Sequence, residues 1–146
     1  MLRRLRNVAR LGPRGWRDLW RAQAALLRAP RRLDREPIGA LAIREPFGAA
    51  AVIGDPGRAY ELAMAVHRAA RFGLIRPFCL VRAMALRDLF VEDGLRGASI
   101  RIGVRRADGV FQAHAWVRWG DRIVGDDPAY VASFTEVDDL GVMQRR

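Results

Sequence analysis

The hydrophobic period of this chain changes once, at Gly94, and that change limits what it can fold into. Before Gly94 apolar residues recur every three to four positions, and after it they alternate with polar ones. Helices therefore come first and strands second, the pattern of an α+β chain.

The helical half has its own punctuation. Leu2, Leu5, Val8 and Ala9, with Arg3, Arg4, Arg6 and Arg10 between them, predict a short basic amphipathic helix over 1–11. After the Gly12-Pro13 break, Trp16, Leu19, Trp20, Gln23, Leu26 and Leu27 follow a helical course with Arg14, Arg17, Arg21 and Arg28 opposite, and Pro30 is expected to end this helix. Residues 31–56 read as a linker with a loosely helical piece near 38–43. Asp55-Pro56 then offers an N-cap and a first helical residue, Ala59, Leu62, Ala63, Val66 and Ala70 form one face, and Gly73 stops the helix. His67, at the border of that face, is expected to be partly buried with a local hydrogen bond. Pro77 opens a further helix as its first residue, which makes Cys79 the third, and Gly94 closes it.

In the second half Ile100, Ile102 and Val104 alternate with polar positions up to a tight turn at Asp108-Gly109. A strand over 110–118 follows, then a turn at Gly120-Asp121 and a strand over 122–126, which Pro128 ends. From residue 129 the chain reads as a short tail packed by Val131, Phe134 and Leu140.

A chain of 146 residues, 51% hydrophobic, suits one domain with one core, here expected over 37–146 behind a basic helical arm over 1–36. All 26 basic residues are Arg, eleven of them in the arm against three acids, and fifteen in the remainder against thirteen. The arm could face an anionic partner, whether an acidic protein, a membrane face or nucleic acid; the simpler expectation is a helix that packs its Trp stripe on the domain and leaves its Arg in water. A membrane partner for the basic N-terminal helix is not favoured, and nucleic acid is not expected, because aromatic and basic residues do not interleave on the sheet. The basic opening Met1-Leu2-Arg3-Arg4 leads into no uninterrupted apolar run, which disfavours secretion and membrane spanning. One cysteine permits neither an internal disulfide nor a cysteine zinc cluster, and fits a reducing cytoplasm.

That cysteine is the start of the only constellation with the parts of an enzyme site. In the first turn of a helix, Cys79 meets unpaired N–H groups and the positive end of the helix dipole, which favour a thiolate over a thiol. Alternation puts Gln112, His114 and Trp116 on one face of the second strand and Ala113, Ala115 and Val117 on the other. With both faces partly apolar, this strand should be central and covered on both sides, and its histidine needs a hydrogen-bonding partner. The returning strand brings Asp126 or Asp127 there. A three-residue loop pairs Arg118 with Arg122 and sets Asp126 across from His114, whereas a two-residue loop pairs Trp119 with Arg122 and sets Asp127 there. Cysteine at a helix N-terminus, histidine on a strand and an acid on the next strand are what a thiol nucleophile requires.

The runs Cys79-Leu80-Val81-Arg82-Ala83-Met84-Ala85-Leu86, Ile102-Gly103-Val104 and Phe111-Gln112-Ala113-His114-Ala115-Trp116-Val117 resemble the transglutaminase-like peptidase of lasso-peptide biosynthesis. His-Ala-Trp-Val is shared by many transglutaminase-like proteins, and the other runs narrow the likeness to the lasso group, over residues 77–134 closely and 13–75 loosely. The resemblance implies a transglutaminase- or papain-like α+β domain, in which N-terminal helices and the nucleophile helix pack on a small antiparallel sheet. It implies Cys79 as nucleophile, His114 as general base and then acid, and Asp126, in an Asp-x-Pro context, as the residue that orients the imidazole. No cofactor or metal is implied. The activity implied is cleavage of the leader from a ribosomally made precursor, with an ATP-dependent cyclase as partner and a leader-binding domain of winged-helix type that either precedes the peptidase on the same chain or is a separate protein. Residues 1–76 are short of strand signals, so a separate leader-recognition protein is expected. Arg76-Pro77-Phe78 before the cysteine departs from the Trp-Ser or similar pair common in the family, and Arg118 replaces an acid that many relatives carry. The alternatives are a transglutaminase-like acyl transferase, or a non-catalytic peptide-binding module with an inert cysteine.

Overall fold

Asp55 accepts hydrogen bonds from the backbone N–H groups of Gly57 (3.2 Å) and Arg58 (3.0 Å), so the helix that follows starts where the sequence expects it. In the computed structural model, which describes residues 11–35 and 51–137, this helix is the second of three long ones. The expected helices at the N-terminus and near 38–43, the boundary at residues 36 and 37, and Leu140 lie outside the described residues.

The helices are α1 (Pro13–Leu33), α2 (Pro56–Phe72) and α3 (Cys79–Glu92), followed by β1 (Ala98–Ala107), β2 (Val110–Trp119), β3 (Arg122–Val124), the single turn α4 (Pro128–Val131) and β4 (Thr135–Glu136). The four strands form one antiparallel sheet in the order β3-β2-β1-β4, an α+β arrangement with β2 inside the sheet. The two-residue β4 pairs with Gly103 and Val104, where the sequence suggested only a packed tail. Gly94, at φ +75°, ends α3 as expected: its own N–H reaches the Val91 carbonyl (3.1 Å) and that of Leu95 reaches Phe90 (2.8 Å), the paired bonds of a Schellman motif.

The core lies between the helices and one face of the sheet. Leu26, Leu62, Leu89 and Phe90 are sealed there against Ile100, Val117 and Trp119, each large side chain contributing about 1.5–3 kcal/mol through burial. A second cluster on the far face joins Trp116, Val131 and Phe134, so β2 is covered on both sides. No described helix is long and apolar enough to cross a membrane.

Helix α1 departs from its sequence reading in three ways. It runs past Pro30 to Leu33, because Asp34 donates to the Pro30 carbonyl (3.3 Å) and Asp88 holds Arg32 through two bonds of 2.7 and 2.8 Å. Its Trp residues do not face the domain: Trp16 is 40% and Trp20 68% exposed, while Asp18, Ala22, Ala25, Leu26 and Ala29 are buried. Alanines at helical spacing let α1 approach α2 and α3 more closely than indoles would. Its arginines are not all solvated either. Arg21 bonds Glu92 (3.0 Å) and Asp93 (2.6 Å), and Arg28 bonds Glu92 (3.1 Å).

Beneath these surface pairs sits Arg58, 8% exposed, which donates to Asp18 (2.5 and 2.8 Å) and to Asp93 (2.6 Å) and so joins all three long helices. Hydrogen bonding from Arg58 holds the Asp18 carboxyl below its ordinary value of 3.8 against the opposing effect of burial. Burial also pushes Asp93 up, but its bonds to Arg21 and Arg58 push it further down.

Two outcomes follow from this clamp. Arg58→Ala leaves Asp18 and Asp93 with Arg21 as their remaining partner and is expected to cost about 3 kcal/mol in urea unfolding. Because the folded-state values of Asp18 and Asp93 are depressed, their stabilisation is complete above the unfolded value near 3.8 and fades as pH falls through the folded values. The wild type should thus lose stability steeply on acidification below about pH 4, and Arg58→Ala should show a flatter acid limb.

Candidate active site

Helix α3 begins two residues later than its proline suggests. Phe78, extended at φ −65° and ψ 162°, is the N-cap, so Cys79 is the first helical residue and Pro77 lies outside. The first helical bond is from the Arg82 N–H to the Phe78 carbonyl (3.1 Å), which leaves the N–H groups of Cys79, Leu80 and Val81 without helical partners. No side chain caps this end. The thiol, half-buried, sits at the positive end of the dipole.

On β2, His114 Nε2 lies 2.7 Å from Asp126 Oδ2. A carboxylate can only accept, so Nε2 carries the hydrogen and Nδ1 is the free basic nitrogen. The ring is fixed by aromatic neighbours: Tyr130 edge-on at 5.1 Å, Phe134 at 5.3 Å and Trp116 stacked at 6.1 Å. Opposite His114 in the sheet stands Gly103, where a Cβ would come within 2.7 Å of the Trp116 ring and 2.9 Å of Phe134. The glycine is needed for room beside the histidine.

Asp126 reaches His114 by a route the sequence did not suggest. Trp119 pairs with Arg122, so the loop has two residues, and strand counting would then bring Asp127 to His114. Pairing stops at Val117 with Val124, however, and Gly125 at φ +80° turns the chain out of the strand. Asp126 swings onto the histidine, its other oxygen accepting the Asp127 N–H (2.9 Å), while Asp127 caps α4 through the Ala129 N–H (3.0 Å). The three-residue loop and the strand running to 126 are both corrected, yet the acid beside His114 is Asp126.

The same break in pairing leaves the 110–116 end of β2 without a described neighbour on that edge. Helix α3 packs on the face of β2 that carries Val117 and Trp119, whereas His114 sits with Trp116 on the other. Asp126 belongs to both sides: it holds His114, and it lines, with Cys79, His67, Arg82 and Gly125, a cavity of about 20 Å³ that would hold one water-sized group. Among the described residues Cys79 and His114 are not hydrogen-bonded to each other, and Asp126 is what links them across the edge. Thiol–imidazole contacts in substrate-free sites commonly tighten only when substrate binds.

His67, expected from the sequence to be partly buried, is exposed and lies on the cavity wall. Loss of solvent on that side, then the charges of Arg82, Arg71 and Arg68, hold it below the ordinary histidine value of 6.5, with Asp126 pulling the other way. It shares the cavity lining with the thiol, which its position on the apolar border of α2 does not reveal. An open groove of about 650 Å³ continues from Asp126 between α2 and β3, past Tyr60, Met64, Arg122 and Ile123. No described cluster of His, Cys, Asp and Glu is arranged to hold a metal. A thiol at a helix N-terminus with a carboxylate-bound imidazole at the same edge can form and release a thioester.

The family model described as the transglutaminase-like superfamily matches residues 1–138. No curated protein and no solved structure matches.

The two neighbouring acids should separate by mutation. Asp126→Ala is expected to release the His114 tautomer, visible in the ¹⁵N spectrum of the ring, and to slow acyl turnover by about 10²–10⁴-fold. Asp127→Ala should instead cost about 1 kcal/mol of stability through the lost cap and leave the ring spectrum unchanged.

Proposed function

The chain belongs to the transglutaminase-like superfamily, and on that premise we propose that it is a cysteine peptidase that removes the leader from a ribosomally made lasso-peptide precursor. The observation that carries the reading is the double role of Asp126, bound to His114 at 2.7 Å and lining one cavity with Cys79. The lasso assignment is supported by the runs around Cys79, Ile102 and His114.

In this reading His114 Nδ1 takes the proton of the Cys79 thiol, and the resulting thiolate attacks the last leader carbonyl. The imidazolium, steadied by Asp126, returns a proton to the departing core amine as the C–N bond breaks. Water, activated by the same imidazole, hydrolyses the leader thioester. The freed amine is then available to a separate cyclase for macrolactam formation. The groove between α2 and β3 has the dimensions of a ligand cleft and leads to Asp126, which makes it the path for an extended leader segment. A separate cytoplasmic leader-recognition protein delivers the precursor.

Cys79→Ala should keep the wild-type far-UV spectrum and melting point and lose leader cleavage, read by mass spectrometry of the precursor. Free leader acid among the wild-type products is expected; a leader–amine adduct would instead identify an acyl transferase, and cleavage by folded Cys79→Ala would remove the cysteine from the mechanism. With wild-type enzyme, adding the leader-recognition protein should raise the rate, and equal rates with and without it would exclude that dependence.

A further inference from the structure

We infer that Arg82 is a catalytic residue of the proposed acyl chemistry, donating from its guanidinium to the carbonyl oxygen as that oxygen becomes negative. The inference rests on the thiol-acylation reading above. Arg82 follows Cys79 by three residues in the first turns of α3, so the two side chains share one side of the helix. Helical side chains lean toward the N-terminus, which lays the Arg82 side chain over the turn that holds the thiol. It lines the small cavity with Cys79 and both open grooves beside it.

The decisive feature is its Nε, a buried donor with no hydrogen-bond partner. Such a group is costly to leave unpaired, so it favours an incoming acceptor. Arg58, by contrast, has its donors taken by Asp18, Asp93 and Glu61. The positive charge of Arg82 is also felt at His67, consistent with its direction toward the cavity. Attack by the Cys79 sulfur forms a C–S bond and moves the carbonyl π pair onto oxygen. That oxygen, arriving in a space of one water-sized group, meets the unpaired Cys79 backbone N–H on one side and Arg82 on the other. Collapse of the adduct expels the leaving group and restores the carbonyl.

The test compares two reactions of the same thiol. p-Nitrophenyl acetate acylates a thiolate through a tetrahedral oxyanion and releases p-nitrophenolate; iodoacetamide alkylates it by displacement of iodide with no oxyanion. Arg82→Gln is expected to slow acylation by about 10²-fold, the effect of removing one oxyanion donor, while alkylation changes less than a few-fold. Arg82→Lys, which keeps the charge but not the planar donor, should fall between, and it serves the same comparison if the Gln variant does not fold. Unchanged acylation would overturn the role of Arg82 and leave the peptidase reading standing. A parallel loss of both reactions would also overturn it, assigning Arg82 to the thiolate rather than to the oxyanion. Failure of the folded wild type to be acylated at Cys79 would overturn the reading itself and the inference with it.

Discussion

The geometry of this domain depends on Arg58. Burying a guanidinium and two carboxylates is expensive, and well-packed apolar residues of similar volume are often as stable or more so. The faces that meet here explain the use of charge. Ala22, Ala25 and Ala29 of α1, Ala59, Ala63, Ala65 and Ala69 of α2, and Ala83 and Ala85 of α3 are smooth surfaces with few knobs to fix one helix against the next. An ion pair with directional bonds to Asp18 and Asp93 has one good arrangement, so it selects a single docking of the three helices. Arg21, Arg28 and Arg32 reinforce it from the rim through Asp88, Glu92 and Asp93. Arg21, Arg28 and Arg32 thereby act within the domain.

The bonds to Asp88, Glu92 and Asp93 grip the C-terminal end of α3, and its N-terminus is left uncapped for chemistry. Two unusual economies appear at that end. The helix has no capping side chain, so its N–H groups remain open to a ligand, and Arg82 keeps a buried donor unpaired. Sites that stabilise developing charge require such preformed, unsatisfied donors, because a donor already engaged would have to be freed at the moment of reaction. The sheet contributes by ending β3 early. Had β3 continued beyond Val124, Asp126 would have stayed in a ladder; Gly125 turns it across the edge so that one carboxylate serves the histidine on one face and the thiol cavity on the other.

Much of this was legible in the sequence because local rules governed it. The change of period at Gly94, the Asp55-Pro56 start, the stops at Gly73 and Gly94 and the Asp108-Gly109 turn each depend on a few adjacent residues. The rest depends on partners far along the chain. That α1 would bury alanines and expose Trp20 follows from Asp18 finding Arg58, forty positions away, and bulky residues drew the sequence reading to the wrong face. Strand counting failed at Gly125 because one positive φ angle breaks the constant register on which counting relies. Residues such as His67 and Arg82 looked like ordinary helix-surface positions, since the cavity that gives them meaning is assembled from α2, α3 and the sheet together.

The central claim is that Cys79 carries the acyl group in a covalent intermediate. Acid-quenched intact-protein mass spectrometry within the first turnovers on the precursor, followed by peptide mapping, tests it most directly. The account predicts an adduct of the leader mass less one water, confined to the fragment that contains Cys79, cleaved by hydroxylamine, and decaying as free leader acid accumulates. Precursor cleavage with no thioester at Cys79 at any time point, or an adduct mapped to another residue, would contradict it.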